Sequence, residues 1–417
     1  MRPTFFFVAL LLTVPPFAAI PSARAEAPTA PFRLGVIGTT TSHVPAFINL
    51  LNAEQPKEKL RHFRVTAAYV GGMPDNESSW GRREMFRDQA VEKGVVIVPT
   101  IEKLLDQVDG VLLMSVDGRC HLEQARPVIA ARKPLYIDKP LAGSLVDALE
   151  IFRMARENDV PVFSCSALRF APEAQAARAG KSAAGDVLGY TTWSPCSTHP
   201  THPTLLWYGI HGVESLFTVM RAGCVSVQAT RSPAEDVVTG RWNDGRIGVF
   251  RGLRTPMKNG YGGTVYGPKG IAQIKTYDGY EPLLEAICAF FKTGEPPVES
   301  AETLEMFAFM EAADESIVRN GTSVTLLEVM KAAEAKKIVT IPLTLTANGS
   351  LQWDGRPIER GQLADKLTER AKSAPDTALR IILTAEAATD PGVIQEVCHA
   401  FGPAVLARFI LLEKPVE

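Results

Sequence analysis

The chain carries almost no charge imbalance: 44 Lys and Arg stand against 46 Asp and Glu, a net charge of −2 over 417 residues. That excludes the basic footprint of a nucleic-acid or anionic-membrane binder. Aromatic residues are only 8% of the chain and are not interleaved with basic runs. Cysteine is scarce and scattered, at Cys120, Cys165, Cys196, Cys224, Cys288 and Cys398. This spacing excludes a disulfide scaffold, and the thiols are expected to be buried, with room for one bridge. Metal-ligand spacing is also lacking: Cys196, His199, His202 and His211 match no standard zinc site, so no metal is expected. What is present, 46% apolar and 22% charged residues, describes a globular chain too long for one ordinary domain.

The first residues read as a targeting segment. A short basic start, Met1–Thr4, precedes an apolar core from Phe5 to Ile20, and Ala23-Arg24-Ala25 follows as a small-x-small pattern. The run is short for a bilayer span and is broken by Pro15-Pro16. The expectation is a cleavable signal over residues 1–25, a leader over 26–31 and an exported, periplasmic chain without a transmembrane segment. No twin arginine precedes the core and no cysteine sits at the cut, which favours general secretion without a lipid anchor.

From Phe32 to Ser166, short apolar strands alternate with amphipathic helices. The strands are Leu34–Ile37, Val65–Val70, Val95–Val98, Val111–Met114, Leu135–Ile137 and Pro161–Phe163. Continuous apolar strands between helices imply a parallel sheet covered on both faces, hence a doubly wound, Rossmann-like α/β domain over 32–166. Over 167–335, longer strands separated by Gly and Asn imply an α+β domain with a large, mainly antiparallel sheet. Helices at 205–220, 280–291 and 301–319 are expected on one face of it. A third, small α+β domain is expected over 338–417. Its signals are the hairpin turn Asn348-Gly349, helical faces with Leu363 and Leu367 and with Val393, Ile394, Val397 and Phe401, and the strand Leu379–Leu383.

Two segments carry chemistry. Leu135-Tyr-Ile-Asp-Lys-Pro140 ends an apolar strand in an acid, a lysine and a proline, at the edge where open α/β sheets bind ligands. Gly38-Thr-Thr-Thr-Ser-His43 joins the first strand to the first helix, where a dinucleotide fingerprint would read G-x-G-x-x-G. Only Gly38 is kept; Thr40 and His43 stand at the other glycine positions. The hydroxyls of Thr39, Thr40, Thr41 and Ser42 and the helix N-terminal amides can bind an anion or cap the helix. The ribose-binding acid is missing from the end of the second strand, where Val70-Gly-Gly-Met-Pro74 stands.

With Gly35-Val-Ile-Gly38, Val111–His121, Tyr136-Ile-Asp-Lys-Pro140, Ser166-Ala-Leu-Arg-Phe170, Tyr208-Gly-Ile-His-Gly212 and Tyr266–Gly270 in this order, the chain resembles the Gfo/Idh/MocA oxidoreductases over about 33–335. The resemblance implies an NAD or NADP-binding domain, then a substrate and oligomerisation domain that allows a homo-oligomer. It assigns catalysis to Lys139 and His211: the lysine contacts substrate and nicotinamide, the histidine takes the hydroxyl proton. On the cofactor side it implies Gly38, Thr39, Thr40, Thr41, Ser42, His43, Ser115, Asp117, His121, Asp138, Lys139, Pro140 and Arg169. Trp207 stands where that family often places an aspartate. Over about 342–412 the chain is similar to the periplasmic domain of ExbD/TolR transport proteins, which implies a docking module for an envelope partner. That family's membrane helix has no counterpart here.

Two readings of function follow. One is an exported NAD(P)-dependent oxidoreductase acting on a sugar or polyol-like substrate. The other is a non-catalytic envelope binding protein that kept the fold and lost dinucleotide-dependent redox activity. A hydrolytic or lyase use of Lys139 and His211 is a third.

Overall fold

The computed structural model describes residues 30–74, 76–199, 201–202, 204–254, 260–275, 279–386, 389–401 and 409–413. The expected signal segment and most of the leader lie outside the described residues.

The chain begins with β1 (Phe32–Ile37), α1 (His43–Leu51), β2 (Phe63–Tyr69), α2 (Glu77–Trp80), α3 (Arg83–Glu92), β3 (Val96–Ile97) and α4 (Ile101–Leu105). It continues through β4 (Gly110–Leu113), α5 (His121–Ala130), β5 (Leu135–Ile137), α6 (Leu145–Glu157) and β6 (Val162–Phe163). The six strands form an all-parallel sheet in the order β3-β2-β1-β4-β5-β6. This is the doubly wound dinucleotide-binding order, and its switch point lies between β1 and β4. The strands are apolar throughout because both faces are covered: Leu34, Val36, Leu112 and Tyr136 face one core, Ile37, Val111, Leu113 and Ile137 the other. Between β2 and β3 the chain forms two helices, α2 and α3. They part at Gly81 and Arg82, where Trp80 is held under the Arg83 guanidinium, 3.7 Å from the ring centre.

The next stretch runs α7 (Pro172–Arg178), β7 (Gly189–Pro195), α8 (Ile210–Met220), β8 (Cys224–Arg231), β9 (Glu235–Trp242), β10 (Ile247–Leu253), β11 (Gly262–Gly267) and β12 (Gly270–Ile274). Then come α9 (Glu281–Thr293), α10 (Ser300–Val318), β13 (Val324–Thr325) and α11 (Leu326–Glu334). Seven strands form a sheet in the order β12-β11-β7-β10-β9-β8-β13, antiparallel except for the β7–β10 pair. α8 and α10 lie against it, with Phe217 packed on both Trp242 and Phe309 at 5.6 Å. α8 starts at Ile210, five residues later than its apolar pattern suggests. Leu205 and Leu206 are buried in the same core from turns, so the periodicity continues where the helix does not. α9 departs from expectation as well. Leu283, Leu284, Ile287, Phe290 and Phe291 pack with Leu34, Val36 and Phe163 of the first sheet, completing the cover that α1 and α3 begin on that face.

The remainder is β14 (Lys337–Leu345), β15 (Leu351–Trp353), β16 (Arg356–Pro357), α12 (Arg360–Ser373), β17 (Thr377–Ala385), α13 (Pro391–His399) and β18 (Phe409–Glu413). They form a five-stranded sheet, β16-β15-β14-β17-β18, whose β14–β17 and β17–β18 pairs are parallel. The β14–β15 hairpin turns through Gly349 at φ +81°, a conformation that favours glycine. These elements share an apolar core built on Leu343, Leu345, Leu363, Leu367, Leu379, Ile381 and Leu383, which Met73 and Cys120 join. All six cysteines are free and buried. Among the described residues no helix is long and apolar enough to cross a membrane.

Candidate functional site

The carboxyl edge of the first sheet presents the loops after β1, β2, β4 and β5. Gly38 follows β1 at φ +88°, and a Cβ there would lie 2.2 Å from the Ser115 hydroxyl. Only glycine allows the loops after β1 and β4 to meet this closely. Thr39, Thr40 and Thr41 are buried, while Ser42 is exposed. Thr39 gives its hydroxyl hydrogen to the Arg83 carbonyl (2.9 Å), and Thr40 Oγ1 accepts from the Val116 amide (3.0 Å). Ser42 precedes α1 without a side-chain cap.

His43 opens α1, with Nδ1 2.9 Å from Asp138 Oδ2 and its ring against Tyr280 (4.8 Å). The other Asp138 oxygen accepts from the Tyr136 hydroxyl (3.2 Å). Burial opposes ionisation of Asp138, but His43 and Lys139 outweigh it and bring its pKa to about 2. Lys139 is nearly buried, and a cis peptide joins it to Pro140. His121 is wholly buried: Nδ1 lies 2.9 Å from the Pro140 carbonyl and Nε2 2.7 Å from that of Ser115. Burial lowers its pKa despite the Ser115 and Leu141 carbonyls. His121 therefore ties the loops after β4 and β5 together.

The facing wall comes from the second domain. His211 sits in the first turn of α8, with Nδ1 2.8 Å from Ser166 Oγ. Burial, then Lys139 and His43, push its pKa well below the usual histidine range, so the ring is neutral. Ser166 thus holds the ring through Nδ1, and Nε2 has no hydrogen-bond partner among the described residues. Tyr208 stands between the two expected catalytic residues: its ring is 5.2 Å from that of His211 and 6.0 Å from Lys139 Nζ. Tyr261 completes this wall, 5.9 Å from His211 and with its hydroxyl 3.5 Å from that of Tyr208.

The structure thus brings Lys139, Asp138, His43 and His211 together. Arg169 is engaged elsewhere: it is buried, pairs with Glu214, and lies 2.8 Å from Glu302. That network joins α8 to α10. Asp117, in contrast, forms an interdomain tie. It accepts from His202 Nε2 (2.9 Å), from Arg119 Nη2 (2.7 Å) and from Asn76 Nδ2 (3.3 Å). Against burial, Arg119 and His202 hold its pKa well below the carboxylate range. Trp207 packs on His202 (4.7 Å) and His199 (5.5 Å). Among the described residues no group of three or more His, Cys, Asp or Glu could hold a metal.

Sequence reasoning gave no role to Ser166, Tyr208 or Asn76. Two of these had a local signal. Ser166 caps the turn that carries Arg169, and Tyr208 stands three residues before His211 in the same short motif. Nothing local linked Asn76 to Asp117.

The residues present fit a dinucleotide at its nicotinamide end. There Lys139 and the Asp138–His43 pair lie beside the switch point. The opposite end of the crevice is bridged by protein.

No family model matches the chain, and no curated protein matches it. Solved structures do. GenD2 from gentamicin A biosynthesis, crystallised with NAD, superposes with a TM-score of 0.59 at 18% identity over 73% of this chain and 99% of its own. The scyllo-inositol dehydrogenase of Lactobacillus casei gives 0.57 at 14% identity, covering 72% and 99%. The myo-inositol dehydrogenase of the same organism, crystallised with NAD(H) and myo-inositol, gives 0.54 at 17%, covering 71% and 96%. At these identities the likeness establishes the fold: a Rossmann-like domain followed by a mixed-sheet domain.

Proposed function

We propose that this chain is an exported NAD(P)-dependent oxidoreductase acting on a sugar or polyol-like substrate in the cleft between its first two domains. The observation that carries the reading is the meeting of Lys139 and His211, from different domains, across the Tyr208 ring. Neutral His211 can take a hydroxyl proton at Nε2, with Ser166 fixing the ring through Nδ1. The Lys139 ammonium stabilises the alkoxide that develops. Gly38, Ser42 and the α1 amides would hold the phosphates of the cofactor, and Asp138, Lys139 and Pro140 its nicotinamide end. When bound, that group would supply the hydride acceptor. The solved neighbours with inositol and NAD support both substrate class and cofactor.

Export rests on the pattern at residues 1–25; N-terminal sequencing of native protein should give Glu26. A docking role for the third domain in the envelope rests on its sequence resemblance to ExbD/TolR domains.

The test is to incubate the purified full chain with NAD or NADP and a panel of polyols, myo-inositol included, and follow reduced nicotinamide. Turnover that disappears in Lys139→Ala supports the reading. One observation favours the second reading, a binding protein without redox activity: the Asn76–Asp117 bridge across the crevice. Absence of turnover with every substrate, together with a polyol but no nucleotide in the purified protein, would select it.

A further inference from the structure

We propose that the third domain is a gate: it covers the adenosine end of the crevice and has to lift before a dinucleotide can enter. The proposal rests on the cofactor reading above. In a sheet of this order the adenosine ribose lies at the carboxyl end of the second strand, here between the loops after β2 and β4. Both loops are spent on other contacts. Met73, after β2, and Cys120, after β4, are 1% and 2% exposed and belong to the same apolar cluster as Ile341, Leu343, Leu379 and Ile381. Asn76 donates to Asp117 across the gap (3.3 Å). Beneath them, Thr40 and Trp80 close on Gly72, where a Cβ would lie 2.7 Å from the Thr40 methyl. An adenosine cannot share this space.

Besides its apolar contacts, the cover has a charged latch. Arg380, on β17, is buried and pairs with Asp147 in the first turn of α6, and its Nη1 lies 3.4 Å from Glu123 in the first turn of α5. A buried pair of this kind adds little net stability, yet it fixes geometry, and removing one partner is costly. The domain is also built to move as a body. Its core is largely its own, and only Ala335 and Lys336 separate α11 from β14. Behind this joint lies a groove of about 620 Å³ lined by Val146, Phe152, Met330 and Ile338. A core that is largely its own, on a two-residue joint, suits hinge motion.

Cys120 reports the motion, because burial raises its thiol pKa and exposure would restore its reactivity. The experiment labels the full-length protein with iodoacetamide, maps Cys120 by mass spectrometry, and measures NAD binding by calorimetry in wild type and Asp147→Asn. A gate predicts slow labelling in wild type, with at least tenfold faster labelling and at least tenfold tighter NAD binding in the variant. In wild type alone, saturating NAD should accelerate Cys120 labelling, which keeps the test decisive if the variant fails to fold. Equal NAD affinity in both proteins, or wild-type labelling that is fast or unmoved by bound NAD, overturns the gate and leaves the cofactor reading intact. Fast labelling of the variant with no NAD bound by either protein supports the cover and overturns the cofactor reading.

Discussion

His43 and Asp138 lie side by side, Nδ1 2.9 Å from Oδ2, although one opens the first helix and the other ends the fifth strand. The residue standing where a dinucleotide fingerprint has its third glycine thus reaches across the switch point to the acid beside Lys139. A bulky third position usually costs helix–strand packing. Here the imidazole turns toward the site and rests on Tyr280 and Phe47.

Lys139→Ala should lower turnover by roughly 10²–10³-fold, as expected for loss of one electrostatic contact in the transition state. Steady-state kinetics beside a thermal melt checks this. A matching loss of melting temperature would mean that the lysine is structural.

His211 should impose an acid limb on turnover well below the ordinary histidine value of about 6.5, because burial, Lys139 and His43 disfavour its protonated form. His211→Asn should remove both activity and limb, and Ser166→Ala should change kcat more than KM. The same shift acts on stability. The unfolded ring gains a proton below about pH 6.5, whereas the folded ring resists it, so stability is complete above that value and declines as pH falls. His121, also lowered, adds in the same direction. Denaturant melts across pH 4–8 should show the slope, flattened in His211→Asn.

Asp117→Ala should destabilise the protein by about 3–5 kcal/mol, since it leaves the buried Arg119 guanidinium without its carboxylate. His202→Gln, which removes the ring on Oδ1 but leaves Arg119 its carboxylate, should cost less. Chemical denaturation of both variants tests the order.

Gly38→Ala should cost about 2 kcal/mol or more. The backbone at φ +88° disfavours any Cβ, and Ser115 occupies its place. An unchanged denaturation midpoint would show that the loops after β1 and β4 are looser than drawn.

The first sheet was legible because its strands are short, apolar and separated by periodic helices, and β4 and β5 fall where Val111–Met114 and Leu135–Ile137 point. Lys139 and His211 were legible from motifs that occupy a strand end and a helix start. What failed was whatever depends on distant partners. Asn76 and His202 meet at Asp117 from separate loops, and no local pattern encodes that meeting. The α8 boundary failed for another reason: a buried turn shows the same alternation of apolar residues as a helix.

The return of α9 to the first sheet bears on how the chain is made. Leu34, Val36 and Leu112 present an apolar surface that α1 covers in part; the rest of its cover, Leu284 to Phe291, is translated only after six of the seven strands of the second sheet. Until then the nascent first domain is an open sandwich, exposed to association with other chains. A fragment ending at Ser166 would be frozen in that condition. The order of synthesis runs against the order of burial, and the first domain to emerge is among the last to close.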